Sequence, residues 1–145
     1  MKIYNGIIKE NNLELDLAFI GHILSIEQIL FLMKSLSPNF VEKEDQIYLL
    51  SNLQGYGSDM NNFDNSTSGK EKYINNISIS DVFYFSEDDQ SKEKEVQMEI
   101  GSYILEFWKM RLLYLFPQKK FNFLISENGL FDESGVCITF YQTYD

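Results

Sequence analysis

The sequence predicts an α+β fold: an antiparallel sheet with helices packed on one face, built as a single domain over residues 1–145. Three observations lead there. Two runs near the C-terminal end alternate in the period of a half-buried strand, with Phe121, Phe123 and Ile125 set against Asn122 and Ser126, and Val136, Ile138 and Phe140 set against Cys137, Thr139 and Tyr141. Ahead of them, Glu95, Glu99, Ser102, Glu106 and Lys109 recur at spacings of four and three, which traces one solvent stripe down a helix from Ser91 to Phe116. The chain has 145 residues, a length that supports one independent core without metals or disulfides.

In chain order, Lys2–Lys9 and the alternating Leu13, Leu15, Leu17 and Phe19 suit a hairpin turning at Asn11-Asn12. Ser25 stands three residues before Gln28, the spacing of a capping box, and opens a helix whose apolar stripe is Ile26, Ile29, Leu30, Met33 and Leu36. Pro38 stops it, since proline lacks an N–H and disfavours helix in the residue before it. Phe40 to Leu53 has two readings, a short helix capped by Gly55 or a strand over Gln46 to Leu50. Gly55 to Lys72 (55–72) is rich in Gly, Asn, Asp and Ser with few apolar anchors, and is expected to be a long flexible loop. Tyr73 to Phe85 alternates weakly and suits one or two strands.

The helix from Ser91 to Phe116 would be about 39 Å long at 1.5 Å per residue. Trp108 lies on its apolar side as an expected core anchor. Glu87, Asp88 and Asp89 precede it and complement the positive end of its dipole. Pro117 ends it. The connection from Glu127 to Gly135 is too long for a tight turn but places Gly129 and Gly135 where φ can be positive.

Charge narrows the function classes. Twelve basic against 22 acidic residues give a formal net charge of −10, and the only Arg is Arg111. Direct nucleic-acid binding needs a basic stripe and Arg forks, and is disfavoured. Anionic membrane surfaces would repel the chain, no apolar run has the length of a membrane span, and the N-terminus lacks a signal peptide's pattern, so a cytoplasmic location is expected. The complementary partner is a basic protein.

Catalytic chemistry is thinly supplied. His22 and Cys137 are the only residues of their kinds. A dyad between them would need a strand thiol about 3 Å from a residue in a bend; the simpler reading is a small semi-buried thiol and a surface imidazole, neither required for function. One His cannot build a multi-His metal site. Asp59, Asn61 and Asp64 fail the calcium-loop pattern, because counting from Asp59 places Asp64 where Gly is needed and Lys70 where Glu is needed. No phosphate-binding glycine loop is present. No enzyme activity, cofactor or metal is expected.

The organisation of the C-terminal third, with Phe107-Trp108 late in a long helix, Leu115-Phe116-Pro117 closing it, Phe121-Asn122-Phe123 as a strand and then Val136-Cys137-Ile138-Thr139-Phe140-Tyr141, resembles small bacterial immunity proteins, including those of contact-dependent growth inhibition and other polymorphic toxin systems. The resemblance implies a cytoplasmic, non-enzymatic protein that binds a toxin's C-terminal nuclease domain. It transfers no site residues. An acidic inhibitor of a nuclease gains fast electrostatic encounter with the toxin's basic surface. Two other readings stand beside it: an adaptor or nucleic-acid mimic on another basic partner, and a small hydrolase using an acidic pair.

The expected partner surface comprises Asp59, Asp64, Asp81, Glu87, Asp88 and Asp89, with Tyr56 or Tyr84 as aromatic anchor. Asp81 to Glu99 holds seven acids against Lys92 and Lys94, the densest negative run in the chain. Tyr144, sharing a face with Gln142, is a further half-exposed contact, and the Glu127–Glu133 connection is the next acidic candidate.

Overall fold

The computed structural model describes residues 24–55 and 66–144. The expected N-terminal hairpin, His22, Tyr56, Asp59 and Asp64 lie outside them. The chain divides into two units, Met1–Leu36 and Ser37–Asp145, each described by itself.

In the first unit, α1 spans Ile26–Leu36. Its start is the expected capping box: Ser25 N donates to Gln28 Oε1 at 2.8 Å, and Gln28 N donates to Ser25 Oγ at 3.2 Å. The apolar stripe does not make a buried face, for no residue of α1 is buried.

The second unit is α+β. Strands β1 (Phe40–Lys43) and β2 (Gln46–Leu49) form an antiparallel hairpin. Its two-residue turn holds Glu44 and Asp45 at φ 54° and 65°, the positive values that match the twist of paired strands. Helix α2 (Leu50–Gly55) follows directly, so the strand and helix readings of this stretch each hold for one half of it. A three-stranded antiparallel sheet has the order β3 (Ile77–Ser78), β5 (Cys137–Gln142), β4 (Phe121–Ser126). The two C-terminal strands pair in register from Phe121 opposite Gln142 to Ser126 opposite Cys137.

Helix α5 (Lys94–Leu115) lies across this sheet and buries Gln97, Gly101, Leu105, Trp108 and Leu112. Gly101 is required by proximity, since a Cβ there would stand 2.9 Å from both Ile125 Cδ1 and Ile138 Cγ2. Trp108, Phe40 and Phe140 pack edge to face at centroid distances of 5.3 to 6.1 Å, joining helix, hairpin and sheet. The stripe of Glu95, Glu99, Ser102, Glu106 and Lys109 is exposed, as its spacing predicts. Tyr103, Phe107 and Tyr114 are exposed too: the sheet covers one narrow stripe of α5 and leaves its apolar flank in water.

Two stretches depart from expectation. Thr67–Ile74 is a helix, α3, occupying the end of the expected 55–72 loop; Ser66 caps it by accepting from Gly69 N. Tyr73–Phe85 yields only the two-residue β3 and then a helical turn, α4 (Ile79–Val82), capped by Ser78 accepting from Asp81 N at 3.1 Å. The reason is a network of buried polar side chains in α3 that apolar periodicity does not register. Glu71 and Asn75, four residues apart and therefore on one helix face, are both fully buried between β2 and β5. Glu71 accepts from Ile47 N at 2.6 Å, Gln142 N at 2.7 Å and Gln142 Nε2 at 2.6 Å. Asn75 accepts from Leu49 N at 2.9 Å and donates to Ile47 O at 2.9 Å and Phe140 O at 3.2 Å. Two side chains thus satisfy backbone groups on the facing edges of two strands. Thr139 Oγ1 adds a bond to Lys72 O at 2.7 Å, so β5 is covered by α3 on the side away from α5.

Replacing Glu71 with Gln keeps the shape but turns an amide NH₂ toward backbone N–H donors. The expected loss is about 3 kcal/mol, from charge-assisted bonds removed and a donor left buried, read as a fall in the denaturation midpoint with the m-value unchanged. A loss under about 1 kcal/mol would show that the carboxylate does not hold the two strands together.

Candidate functional site

The acidic run resolves into a segment tied down at both ends and projecting in the middle. At its start, Ser80 Oγ accepts from Val136 N at 2.9 Å and donates to Gln97 Oε1 at 2.6 Å. At its end, buried Ser91 offers its carbonyl to Gln97 Nε2 at 2.9 Å and donates its hydroxyl to Asp88 O at 2.6 Å. One buried glutamine of α5 therefore fastens both ends of residues 80–91. Gly135 permits the first tie: its φ is 73°, and a Cβ there would fall 2.2 Å from Ser80 Oγ.

Between these ties the chain turns outward. Tyr84 is 70% and Phe85 91% exposed, their rings edge to face at 4.9 Å. Val82 is exposed beside them. Asp81, Glu87, Asp88 and Asp89 are exposed on the same segment. Asp88 also accepts from Gln90 N at 3.0 Å, capping the 3-10 turn Asp89–Lys92 that leads into α5, and Asp89 has a loose ion pair with Lys92 at 4.0 Å. Exposed apolar side chains and exposed carboxylates thus alternate along one short segment.

Asp81 meets a second acidic element. The Glu127–Glu133 connection folds into a tight loop, with Gly129 at φ 92°, a bridge between Leu130 and Glu133, and Ser126 Oγ donating to Gly129 O at 2.7 Å. This sets Glu133 against Asp81. Burial, then a hydrogen bond to Asp81, then the charges of Asp81 and Asp132 push the Glu133 carboxyl above its usual range. The two acidic candidates that sequence treats as alternatives thus form one surface.

Of the expected site residues, Asp81, Tyr84, Glu87, Asp88 and Asp89 are exposed on one segment between the two Gln97 ties. Phe85 and Val82 were missed, and Glu133 was expected only as part of a separate, alternative acidic surface. The available signal was Ser78 three residues before Asp81, a helix-start spacing that argues against a strand running through Phe85. Tyr144 stands apart, half-exposed; its hydroxyl accepts from Gln142 Nε2 at 3.0 Å, and burial followed by the charge of Glu71 raises its pKa. It belongs to the network beneath β5.

Cys137 is fully buried and burial pushes its thiol up, the reverse of an activated nucleophile. A shallow groove of about 460 Å³ is lined by Ser51, Asn52, Gly55, Asn76 and Ile77, none of them ionisable. No helix among the described residues is long and apolar enough to cross a membrane. Comparison with protein families, curated proteins and solved structures finds no match to this chain.

The Asp81–Glu133 contact has a pH signature. A carboxyl raised in the folded state is a cost when ionised, present above the folded pKa and relieved as pH falls through it. Glu133→Gln is expected to raise Tm at pH 7.5, with the gain shrinking toward pH 4. Equal Tm values for the two proteins at pH 7.5 would show that the carboxylates do not repel.

Proposed function

We propose that this chain is a non-enzymatic inhibitor of the immunity type, acting in the cytoplasm by binding the basic surface of a toxin's nuclease domain. The observation that carries the reading is the exposed Tyr84–Phe85 pair, held on a fastened segment that also carries exposed Asp81, Glu87, Asp88 and Asp89, with Glu133 set against Asp81. Aromatic side chains with two torsions lose little entropy on binding and fill pockets, which is why they dominate interface energetics. The surrounding acids supply rate and orientation more than affinity. An Arg or Lys of the partner placed between Asp81 and Glu133 also removes the repulsion that the free protein carries there, so part of the binding energy is stored in the unbound surface.

The test is to look for a toxin gene directly upstream and to measure co-purification and binding kinetics with the domain it encodes. Tyr84→Ala and Phe85→Ala are each expected to weaken binding by about 30-fold, the 2 kcal/mol of a hot spot, without lowering Tm. Changing Glu87 to Gln and Asp88 and Asp89 to Asn keeps the Asp88 cap acceptor, and is expected to slow association and flatten its dependence on salt. Association that neither falls with salt nor changes in the triple variant rejects this surface. Equal affinity for unrelated basic proteins would favour an adaptor or nucleic-acid mimic instead.

A further inference from the structure

The edge of β4 has the features of a second interaction surface. Strand β5 has hydrogen-bonding partners on both sides: β4 along one edge, and along the other β3 followed by the side chains of Asn75 and Glu71. Strand β4 has β5 on one side, and among the described residues no strand pairs with the other. The register shows which groups face outward. Thr143 N donates to Lys120 O at 2.9 Å, which places the mutually bonded positions of β4 at 120, 122, 124 and 126 and turns the N–H and C=O of Phe121, Phe123 and Ile125 away from β5. The same alternation is visible across the ladder, where Gln142 N and Phe140 O turn outward and are taken by Glu71 and Asn75.

Among the described residues this edge lacks the usual sequence protection. Phe121–Ser126 contains no charge, proline or glycine, whereas solitary edge strands are ordinarily blunted by one of these or by a bulge. It is also less buried than β5 along nearly its whole length.

We propose that β4 pairs antiparallel with β4 of a second copy of this chain across a twofold axis at Phe123, joining two three-stranded sheets into one of six strands. The edge is self-complementary in that arrangement. Phe123 faces its own equivalent, Phe121 faces Ile125 of the second copy, and all outward N–H and C=O groups of the three residues find partners. Charge agrees: Lys120 lies at one end of the strand and Glu127 at the other, so antiparallel pairing sets each basic end beside an acidic one. In a chain of net charge −10, a strand flanked in this way offsets part of the repulsion between two copies. The apolar side chains of Phe121, Phe123 and Ile125 already pack on the core, so the contact requires no rearrangement.

Hydrogen exchange on the wild-type protein tests this without mutation. Amides of Phe121, Phe123 and Ile125 are expected to gain protection as concentration rises through about 100 µM, while those of Asn122 and Leu124, bonded within the ladder, do not change. Light scattering over the same range is expected to move from 17.0 kDa to twice that mass. The paired register sets residue 122 opposite residue 124 of the second copy, so Asn122→Lys with Leu124→Lys puts like charges face to face and weakens the dimer at least about tenfold. Asn122→Lys with Leu124→Glu restores attraction and keeps it. A wild type that stays at monomer mass overturns the proposal, as does a dimer whose edge amides show no change with concentration. Loss of toxin binding in the double-lysine variant of a monomeric wild type would give the edge to the toxin instead.

Discussion

The side chains of Glu71 and Asn75 stand where a strand would otherwise be needed. Strands β2 and β5 face each other with unpaired backbone groups, and buried groups of that kind cost roughly 1–3 kcal/mol apiece when left alone. A carboxylate and an amide from one helical turn take five of the facing backbone groups and the Gln142 amide. No Lys or Arg is paired with Glu71 among the described residues; its charge is held by N–H donors, which suits a site where planar acceptors must match backbone geometry. The hairpin is further fastened at its turn, where Lys119 Nζ donates to Asp45 O at 3.0 Å and Gln142 Nε2 donates to the same carbonyl at 2.8 Å. Burial by itself would lower the Lys119 pKa, yet hydrogen bonds to Asp45 and Glu42 hold it raised. With β2 locked to β5 in this way, α5 has a continuous floor to lie on, and Trp108 reaches Phe40 from the hairpin and Phe140 from the sheet with one ring system.

What sequence makes legible is apolar periodicity, and its failures follow from that. The ends of β4 were legible to the residue because Phe, Asn and Ile alternate in and out of one core. Helix α5 was legible because its polar stripe faces water without interruption. Helix α3 was not, since Thr67–Ile74 packs through Glu71, Asn75 and the Lys72 carbonyl rather than through a hydrophobic stripe; a helix held by polar contacts has the composition of a loop. The expected strand through Tyr84 and Phe85 fails for a related reason. Four consecutive apolar residues suggest a buried strand, but the Ser78 cap starts a helical turn and the Gln97 ties redirect the chain, leaving two of those rings in solvent.

The candidate site was legible by charge count, and only partly. Counting acids finds Asp81 and the Glu87-Asp88-Asp89 run, because charge is a property of composition. It does not find that Glu133 returns to Asp81 from 52 residues further along the chain, which depends on the left-handed positions at Gly129, Phe131 and Gly135 that fold the connecting loop. Nor does it identify Phe85, whose significance is its exposure and not its type. The contact between Asp81 and Glu133 is a cost to the free protein, and the proposed basic partner is what would relieve it.

The position of that surface relative to β4 bears on how the two contacts would combine. The acidic-aromatic segment leaves the sheet through α4, directly after β3, and β3 and β4 are the two opposite edges of the three-stranded sheet. Pairing of two copies through β4 would give the strand order β3, β5, β4, β4, β5, β3, with one acidic-aromatic segment attached at each outer edge. The dimer contact would use the sheet edge opposite the one from which Tyr84 and Phe85 project. A symmetric inhibitor of this form would hold two partner domains far apart, so that each like-charged basic domain meets its own acidic surface. It would carry two equivalent partner sites related by the twofold axis, each linked to the dimer contact through the Glu127–Glu133 loop that leaves β4 and returns Glu133 to Asp81.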